Sequence, residues 1–297
     1  MILNDAQVLE RLGVPGAQML GAGNEASVYV LGPDRVIRIM KPGASLEQAR
    51  VRAGLLGEIA VAAASLPFRT PQVELVAELE GRIFAVEKRL GGSTVAECLG
   101  TLHGEARARL VESYLETASS IGAIPIDRAK FGPLFGDVGL LAATWNGFLK
   151  ARLALSATTC PQELREAVRA VAEIELTEPE RGALVHLDYF PGNVLAEKGT
   201  ISAVLDFGAS SIIGDARMEA WSAVAYLDAE ISPMARDSDR LQAMDWLGRN
   251  GLLAEYGRAK NWLAAYWSFA IDDAALMAWC RRVLLGQAGG SSLPRGR

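Results

Sequence analysis

His186-Leu187-Asp188-Tyr189-Phe190-Pro191-Gly192-Asn193 lies between two short β-rich runs, and Val204-Leu205-Asp206-Phe207-Gly208 follows the second of them. Asp188 and Asn193 stand five residues apart, Asn193 and Asp206 thirteen. Each falls at a strand end or in a loop, where side chains can converge on a ligand. Phosphoryl transfer asks little covalent chemistry of a protein. It needs a carboxylate beside the attacking hydroxyl and hard oxygen ligands that hold Mg²⁺ on the phosphates. Asp188 suits the first task, Asn193 and Asp206 the second. Taken singly, each stretch also reads as an ordinary turn. Together, in this order around a β-hairpin with its turn at Lys198-Gly199, they read as a site.

Upstream, Gly21-Ala22-Gly23-Asn24-Glu25-Ala26-Ser27-Val28-Tyr29 carries two glycines whose missing Cβ would let backbone N–H groups approach phosphates. An ordinary β-turn is the plainer reading of that stretch alone. A strand leads out of it through Arg38 to Lys41, and either cation could hold phosphates. Arg38 lies inside the apolar run and Lys41 at its end. Glu58, in the following helix, is the carboxylate expected to hold that cation; an exposed helical glutamate is the alternative. The first ninety residues thus read as strands over 28–31, 35–39, 72–77 and 82–87 with one helix. That helix opens at Ser45, with Gln48 as capping-box partner, and runs to about Ser65.

From Gly91-Gly92 onward the periodicity is helical over 104–120, 137–155, 161–175, 215–229, 236–250, 253–269 and 272–285, interrupted by β-rich runs at 183–185, 193–196 and 202–205. The residues from 286 to 297 read as a flexible tail. Trp221, Tyr226, Trp246, Trp262, Tyr266, Trp267 and Trp279 sit on helical patterns and are expected in the core, and His103 on the surface. Acid excess gathers in this second part. Asp228, Glu230, Asp272 and Asp273 read either as attraction for a cationic substrate or as a solvated acidic surface.

Composition narrows the classes. Of 297 residues, 50% are hydrophobic and 22% charged, which describes a globular chain rather than a disordered one. A net charge of −5, with no long basic run, speaks against a nucleic-acid partner. No apolar run reaches the length of a membrane span, and Met1-Ile2-Leu3-Asn4-Asp5 lacks a signal-peptide start. Three cysteines without a CxxC, and only two histidines, leave no zinc site or disulfide framework to expect. A cytoplasmic protein is the expectation.

These motifs resemble the aminoglycoside phosphotransferase family, the small-molecule branch of the protein-kinase-like fold, over roughly residues 15–285. The family's His-x-Asp-x-x-x-x-Asn pattern is matched by His186, Asp188 and Asn193, and its metal-binding Asp by Asp206. Val86 to Gly92, with Glu87 and Arg89, resembles the segment that passes the adenine. Gly214-Asp215 with Glu219 resembles the family's "GD…D" segment after the metal-binding Asp, Glu standing for the usual second acid. Leu187 departs from a frequent Gly, Tyr189-Phe190 from Leu-His, and Arg38 from Lys.

The resemblance implies an α+β, bilobal kinase-like fold: a small β-rich lobe over residues 1–90, a hinge near 87–92 and a mainly helical lobe over 91–285. It implies Asp188 as the catalytic carboxylate, with His186 orienting the loop. Gly21, Gly23, Arg38, Glu58, Glu87 and Arg89 would lie at the nucleotide, ATP or GTP, with Mg²⁺ on Asn193 and Asp206. The acceptor implied is a small-molecule hydroxyl, first an aminoglycoside-like antibiotic, which would make this a resistance enzyme. Homoserine, choline, methylthioribose or fructosamine kinases are the metabolic alternatives. A protein kinase is disfavoured because no Ala-Pro-Glu segment follows Asp206-Phe207-Gly208. A non-catalytic nucleotide-binding module is disfavoured by the intact Asp188, Asn193 and Asp206.

Overall fold

The computed structural model describes residues 2–23, 25–135 and 138–286. Asn24 of the glycine-bearing stretch and the expected tail beyond Gly286 lie outside the described residues. The chain divides into two compact units: residues up to Gly92 together with Ser202–Gly208, and Ser93–Ile201 together with the chain from Ala209 on.

The first unit begins with α1 (Asp5–Arg11), capped by Asn4, whose side chain and that of Gln7 bond each other's backbone N–H. Strands β1 (Met19–Ala22), β2 (Ala26–Val30) and β3 (Arg35–Met40) follow. Next come α2 (Leu46–Ala62), β4 (Val73–Leu79) and β5 (Arg82–Lys88). The strands make one antiparallel sheet in the order β1-β2-β3-β5-β4. Glu80 (φ 49°) and Gly81 (φ 80°) turn β4 into β5 with two left-handed residues, the geometry that matches strand twist in a two-residue hairpin.

Strand alternation sorts the two faces of β3. Ile37 and Ile39 enter a core with Leu3, Val8, Leu9 and Phe84. Arg38 turns to the other face, opposite Ala85 in register, and Glu87 stands on that same face opposite Val36. Buried Arg82 ties α1 to the sheet by donating to the carbonyls of Leu3 and Met40 (2.8 Å) and to the Asp5 carboxylate (2.6 Å). Ser202–Gly208, placed by sequence with the helical part, joins this unit. A bridge pairs Arg69 with Ala203, and Arg69 N–H donates to Ser202 O at 2.9 Å. Helix α2 starts where expected, Ser45 Oγ accepting the Gln48 N–H at 3.3 Å, but ends three residues early, at Ala62.

The second unit contains β6 (Ser93–Thr94), α3 (Val95–Thr101), α4 (Gly104–Ile121), β7 (Gly132–Pro133), α5 (Trp145–Thr159) and α6 (Arg165–Ala172). It continues with β8 (Ala183–Val185), β9 (Val194–Glu197), β10 (Thr200–Val204, entering the first unit at Ser202) and β11 (Ile212–Gly214). The helices α7 (Ala216–Ala225), α8 (Asp237–Arg249), α9 (Leu253–Trp267) and α10 (Ala274–Leu285) complete it. β11 lies between β7 and β8, pairing with both antiparallel. Lys198 and Gly199 form a left-handed turn between β9 and β10. Arg107 of α4, almost fully buried, forms a two-pronged pair with Asp239 of α8 (2.8 and 2.5 Å) and caps the Met234 carbonyl at 2.7 Å. The expected core aromatics are buried except Trp267, which is half-exposed. Gly214 passes so close to Trp145 that a Cβ would sit 2.8 Å from the indole, so the backbone approach there requires glycine. Among the described residues, no helix is long and apolar enough to cross a membrane.

Candidate active site

The segment His186–Tyr189 is held through its backbone, group by group, by side chains of the second unit. Glu219 of α7 accepts the N–H of His186 and of Leu187 (3.1 Å). Tyr226 donates its hydroxyl to Leu187 O at 2.7 Å. His186 Nδ1 accepts the Asp188 N–H at 3.2 Å, an arrangement that leaves the ring proton on Nε2 when the imidazole is neutral. Asn193 Nδ2 donates to Asp188 O at 2.9 Å, and Tyr114 donates to Tyr189 O at 2.6 Å. Tyr189 returns its own hydroxyl to Tyr114 O at 2.9 Å, with the two rings stacked 4.7 Å apart. Burial pushes the phenols of Tyr114, Tyr189 and Tyr226 well above their ordinary value, so they remain protonated donors.

Leu187 shows why these bonds are needed. Its φ of 60° is left-handed, a conformation that costs a non-glycine residue about 1–2 kcal/mol. Leu187 is fully buried, and both its backbone polar groups are bonded. The departure from glycine is thus accommodated by apolar burial together with Glu219 and Tyr226. Asp188 is half-exposed and His186 fully buried, so the loop presents its carboxylate and encloses its imidazole. The carboxamide nitrogen of Asn193 bonds Asp188 O, so its oxygen, an acceptor, is turned to the other side of the amide.

Glu219 is displaced in the same direction as the phenols, and within the range where proteins are commonly handled. Burial pushes its carboxyl from 4.5 up to about 7, against the lowering effect of the Leu187 and His186 N–H groups. Between these two values the folded state holds more protons than the unfolded chain, so the stabilisation is full below 4.5 and is lost as pH rises towards 7. Glu219→Gln has no such proton. The stability difference between wild type and E219Q, from urea unfolding at pH 4.5 and 7, is expected to change by about 3 kcal/mol, wild type losing ground as pH rises. Parallel pH profiles would remove Glu219 as the source.

In the first unit, the Arg38 guanidinium donates to Glu87 at 3.1 Å and to Asp206 at 2.9 Å. Burial works against its charge, but Asp206 and Glu87 outweigh that and raise its pKa. Arg52 of α2, not singled out by sequence, reaches the same two carboxylates at 3.7 and 3.6 Å. Burial first, then the like charge of Arg38, lowers its pKa. Glu87 is buried, and its carboxylate faces both Arg38 and Arg52. Glu58 lies on the exposed side of α2, while Leu55, Leu56 and Ile59 make its buried face; the carboxylates on Arg38 are Glu87 and Asp206. Lys41 extends to Ser27 Oγ at 3.4 Å.

Asp206 has a φ of 54° and a side chain 44% exposed. Gly21 and Gly23 are exposed, and an added Cβ at either would meet nothing within 4 Å. The protein's own packing does not demand glycine there. Arg89 is exposed, its N–H on Asp34 O at 2.8 Å.

Sequence also left the second unit's acids undecided. Arg282 takes Asp228 at 2.5 Å and Glu230 at 2.8 Å, Lys260 lies 3.8 Å from Asp228, and Asp273 caps α10. Beside Asp188, Phe190 stacks on Tyr226 with centroids 3.9 Å apart and meets Trp267 at 5.6 Å. Trp267 in turn stacks on exposed Phe269 at 5.7 Å. The Arg152 guanidinium lies 4.5 Å over Tyr266 and 5.2 Å over Phe269.

An antiparallel-sheet unit followed by a mainly helical unit that carries the His186–Asn193 loop is the architecture of the kinase-like phosphotransferases. The chain belongs to the phosphotransferase enzyme family (APH), whose sequence model matches residues 16–252. Solved structures of this class share its fold. A thermostable mutant of aminoglycoside phosphotransferase APH(4)-Ia superposes with a TM-score of 0.66 at 22% identity, covering 95% of this chain and 98% of the other. The streptomycin–ATP complex of APH(2")-IIa gives 0.60 at 15%, covering 96% and 97%. Macrolide 2'-phosphotransferase MphH from Brachybacterium faecium gives 0.56 at 19%, covering 97% and 99%. No curated protein matches the sequence.

Proposed function

We propose that this protein transfers the terminal phosphoryl group of ATP, or of GTP, to a hydroxyl of a small molecule. The observation that carries the reading is the bonded backbone of His186–Tyr189, which fixes Asp188 while leaving its side chain half-exposed. Asp188 accepts the proton of the attacking hydroxyl, or orients that hydroxyl by a strong hydrogen bond. His186 holds the loop and takes no proton from the substrate. The Asn193 oxygen and the Asp206 carboxylate are hard donors that suit Mg²⁺, which when bound would neutralise charge on the phosphates. Arg38 holds phosphate oxygens. At Gly21 and Gly23, none of the described residues excludes a side chain, and close approach to phosphates is the use that glycine serves there.

For the acceptor, an aminoglycoside-like antibiotic is the first reading, supported by family membership and by the aminoglycoside phosphotransferases among the structural neighbours. A second reading is favoured by a specific observation. Asp228 and Glu230 are paired with cations, whereas Phe190, Trp267 and Phe269, with Arg152 among them, line the surface next to Asp188. Such a surface suits a large apolar ring, as in a macrolide, better than a polycation.

The test is nucleotide consumption with Mg²⁺ and ATP or GTP across aminoglycosides, macrolides, homoserine, choline, methylthioribose and a fructosamine, with a generic protein substrate alongside. Consumption that depends on one small-molecule class is expected. Consumption driven by the protein substrate alone would overturn the reading.

A further inference from the structure

We propose that Arg52 is a second phosphate-binding residue beside Arg38, so that the first unit grips the polyphosphate of the nucleotide with two guanidinia mounted on Glu87. The inference rests on the nucleotide reading above and adds a residue that this reading does not contain.

Arg52 stands three and seven residues before Leu55 and Ile59, on the face by which α2 packs. A charge on a packing face persists when it has partners. Its partners are the two that Arg38 already has, Glu87 and Asp206, and Arg38 holds them better. Arg38 bonds them at 3.1 and 2.9 Å, while Arg52 lies at 3.7 and 3.6 Å, beyond hydrogen-bonding distance. The Nε of Arg52 is buried with no hydrogen-bond partner. Its side chain is only 15% exposed, so water does little to solvate the donors that remain.

Glu87 and Asp206 are the carboxylates in contact with the two guanidinia, and Glu25 acts on both from farther off. If Asp206 serves a metal ion, Glu87 is the one carboxylate left in contact with Arg38 and Arg52. A phosphate oxygen can take the place that Asp206 leaves, and the planar forked donors of arginine match it. A role for Arg52 in neutralising Glu87 alone accounts for less. Arg38 already does that at hydrogen-bonding distance, and a second arginine beside it adds like-charge repulsion.

The experiment compares wild type, Arg52→Gln and Arg52→Lys by titration calorimetry in Mg²⁺ with ATP and ADP, with GTP run in parallel and adenosine measured by competition. Thermal melting is recorded for each. R52Q is expected to bind ATP and ADP about 10- to 100-fold more weakly, the range of a lost charge-assisted hydrogen bond. Adenosine affinity and melting temperature should be preserved, and R52K should recover part of the phosphate-dependent loss. R52Q binding ATP as tightly as wild type would overturn the inference. So would equal losses for ATP and adenosine with a lowered melting temperature, or, if R52Q does not fold, a folded R52K with wild-type preference for ATP over adenosine. Wild-type protein that is folded and binds neither ATP nor GTP would instead overturn the nucleotide reading itself.

Discussion

Asp188→Asn is expected to lower kcat by about 10²–10⁴-fold, the usual contribution of a positioned general base. Asparagine fits the same volume and is equally at home in a turn, so the loop should survive the change. What asparagine cannot do is accept the proton of the attacking hydroxyl. The backbone bonds on either side come from His186, Asn193, Tyr114 and Tyr226, none of which needs the Asp188 carboxylate. Nucleotide affinity by titration should therefore stay at the wild-type value while turnover falls. Loss of nucleotide binding in this variant would assign Asp188 a metal or structural role.

Asp206→Asn is expected to reduce Mg²⁺-dependent turnover by about 10²-fold or more, since an amide is a poor ligand for a hard cation and the charge it helps neutralise is large. The structure adds a second consequence. Asp206 is one of two carboxylates on Arg38 and Arg52, so its neutralisation leaves both guanidinia on Glu87. Nucleotide without metal should then bind D206N more tightly than it binds wild type, while the gain in affinity on adding Mg²⁺ disappears. A Mg²⁺ titration of turnover and affinity, with melting as the fold control, checks both parts. Near-normal turnover would take Asp206 out of the site.

The two halves of the chain were legible to different degrees, for physical reasons that can be named. Strands β2 to β5 announce themselves as β-rich runs bounded by turn residues, and the helices from α7 onward by helical spacing, although β4 buries none of its residues fully and α7 buries all of Met218 to Ala225. β1 is exposed along its whole length and α3 is only seven residues long, so neither leaves a strong periodic signal. α5 begins at Trp145, later than its periodicity suggests, where Thr144 caps it through the Gly147 N–H.

The loop around Asp188 was visible as a motif because its residues are close in sequence. What holds it was not, since Glu219 lies 32 residues from Leu187 and Tyr226 lies 39. Arg52 escaped for the same reason, and Glu87, which the resemblance places at the nucleotide, is not linked to Arg38 by anything in the sequence. An arginine in a helix and a glutamate in a strand acquire meaning only when packing brings them to Arg38. The acids at 228 and 230 looked like a solvated surface or a lure for cations until Arg282, more than fifty residues on, was found paired with both.

The central claim is that Asp188 activates a hydroxyl of a small molecule for phosphorylation. Its most direct test is mass spectrometry of the acceptor after incubation with Mg²⁺ and nucleotide, using matched amounts of wild type and Asp188→Asn. The account predicts an acceptor carrying one added phosphoryl group with wild type, and a yield lower by about 10²–10⁴-fold with the variant at early times. Equal phosphorylation of that acceptor by the two proteins would contradict it.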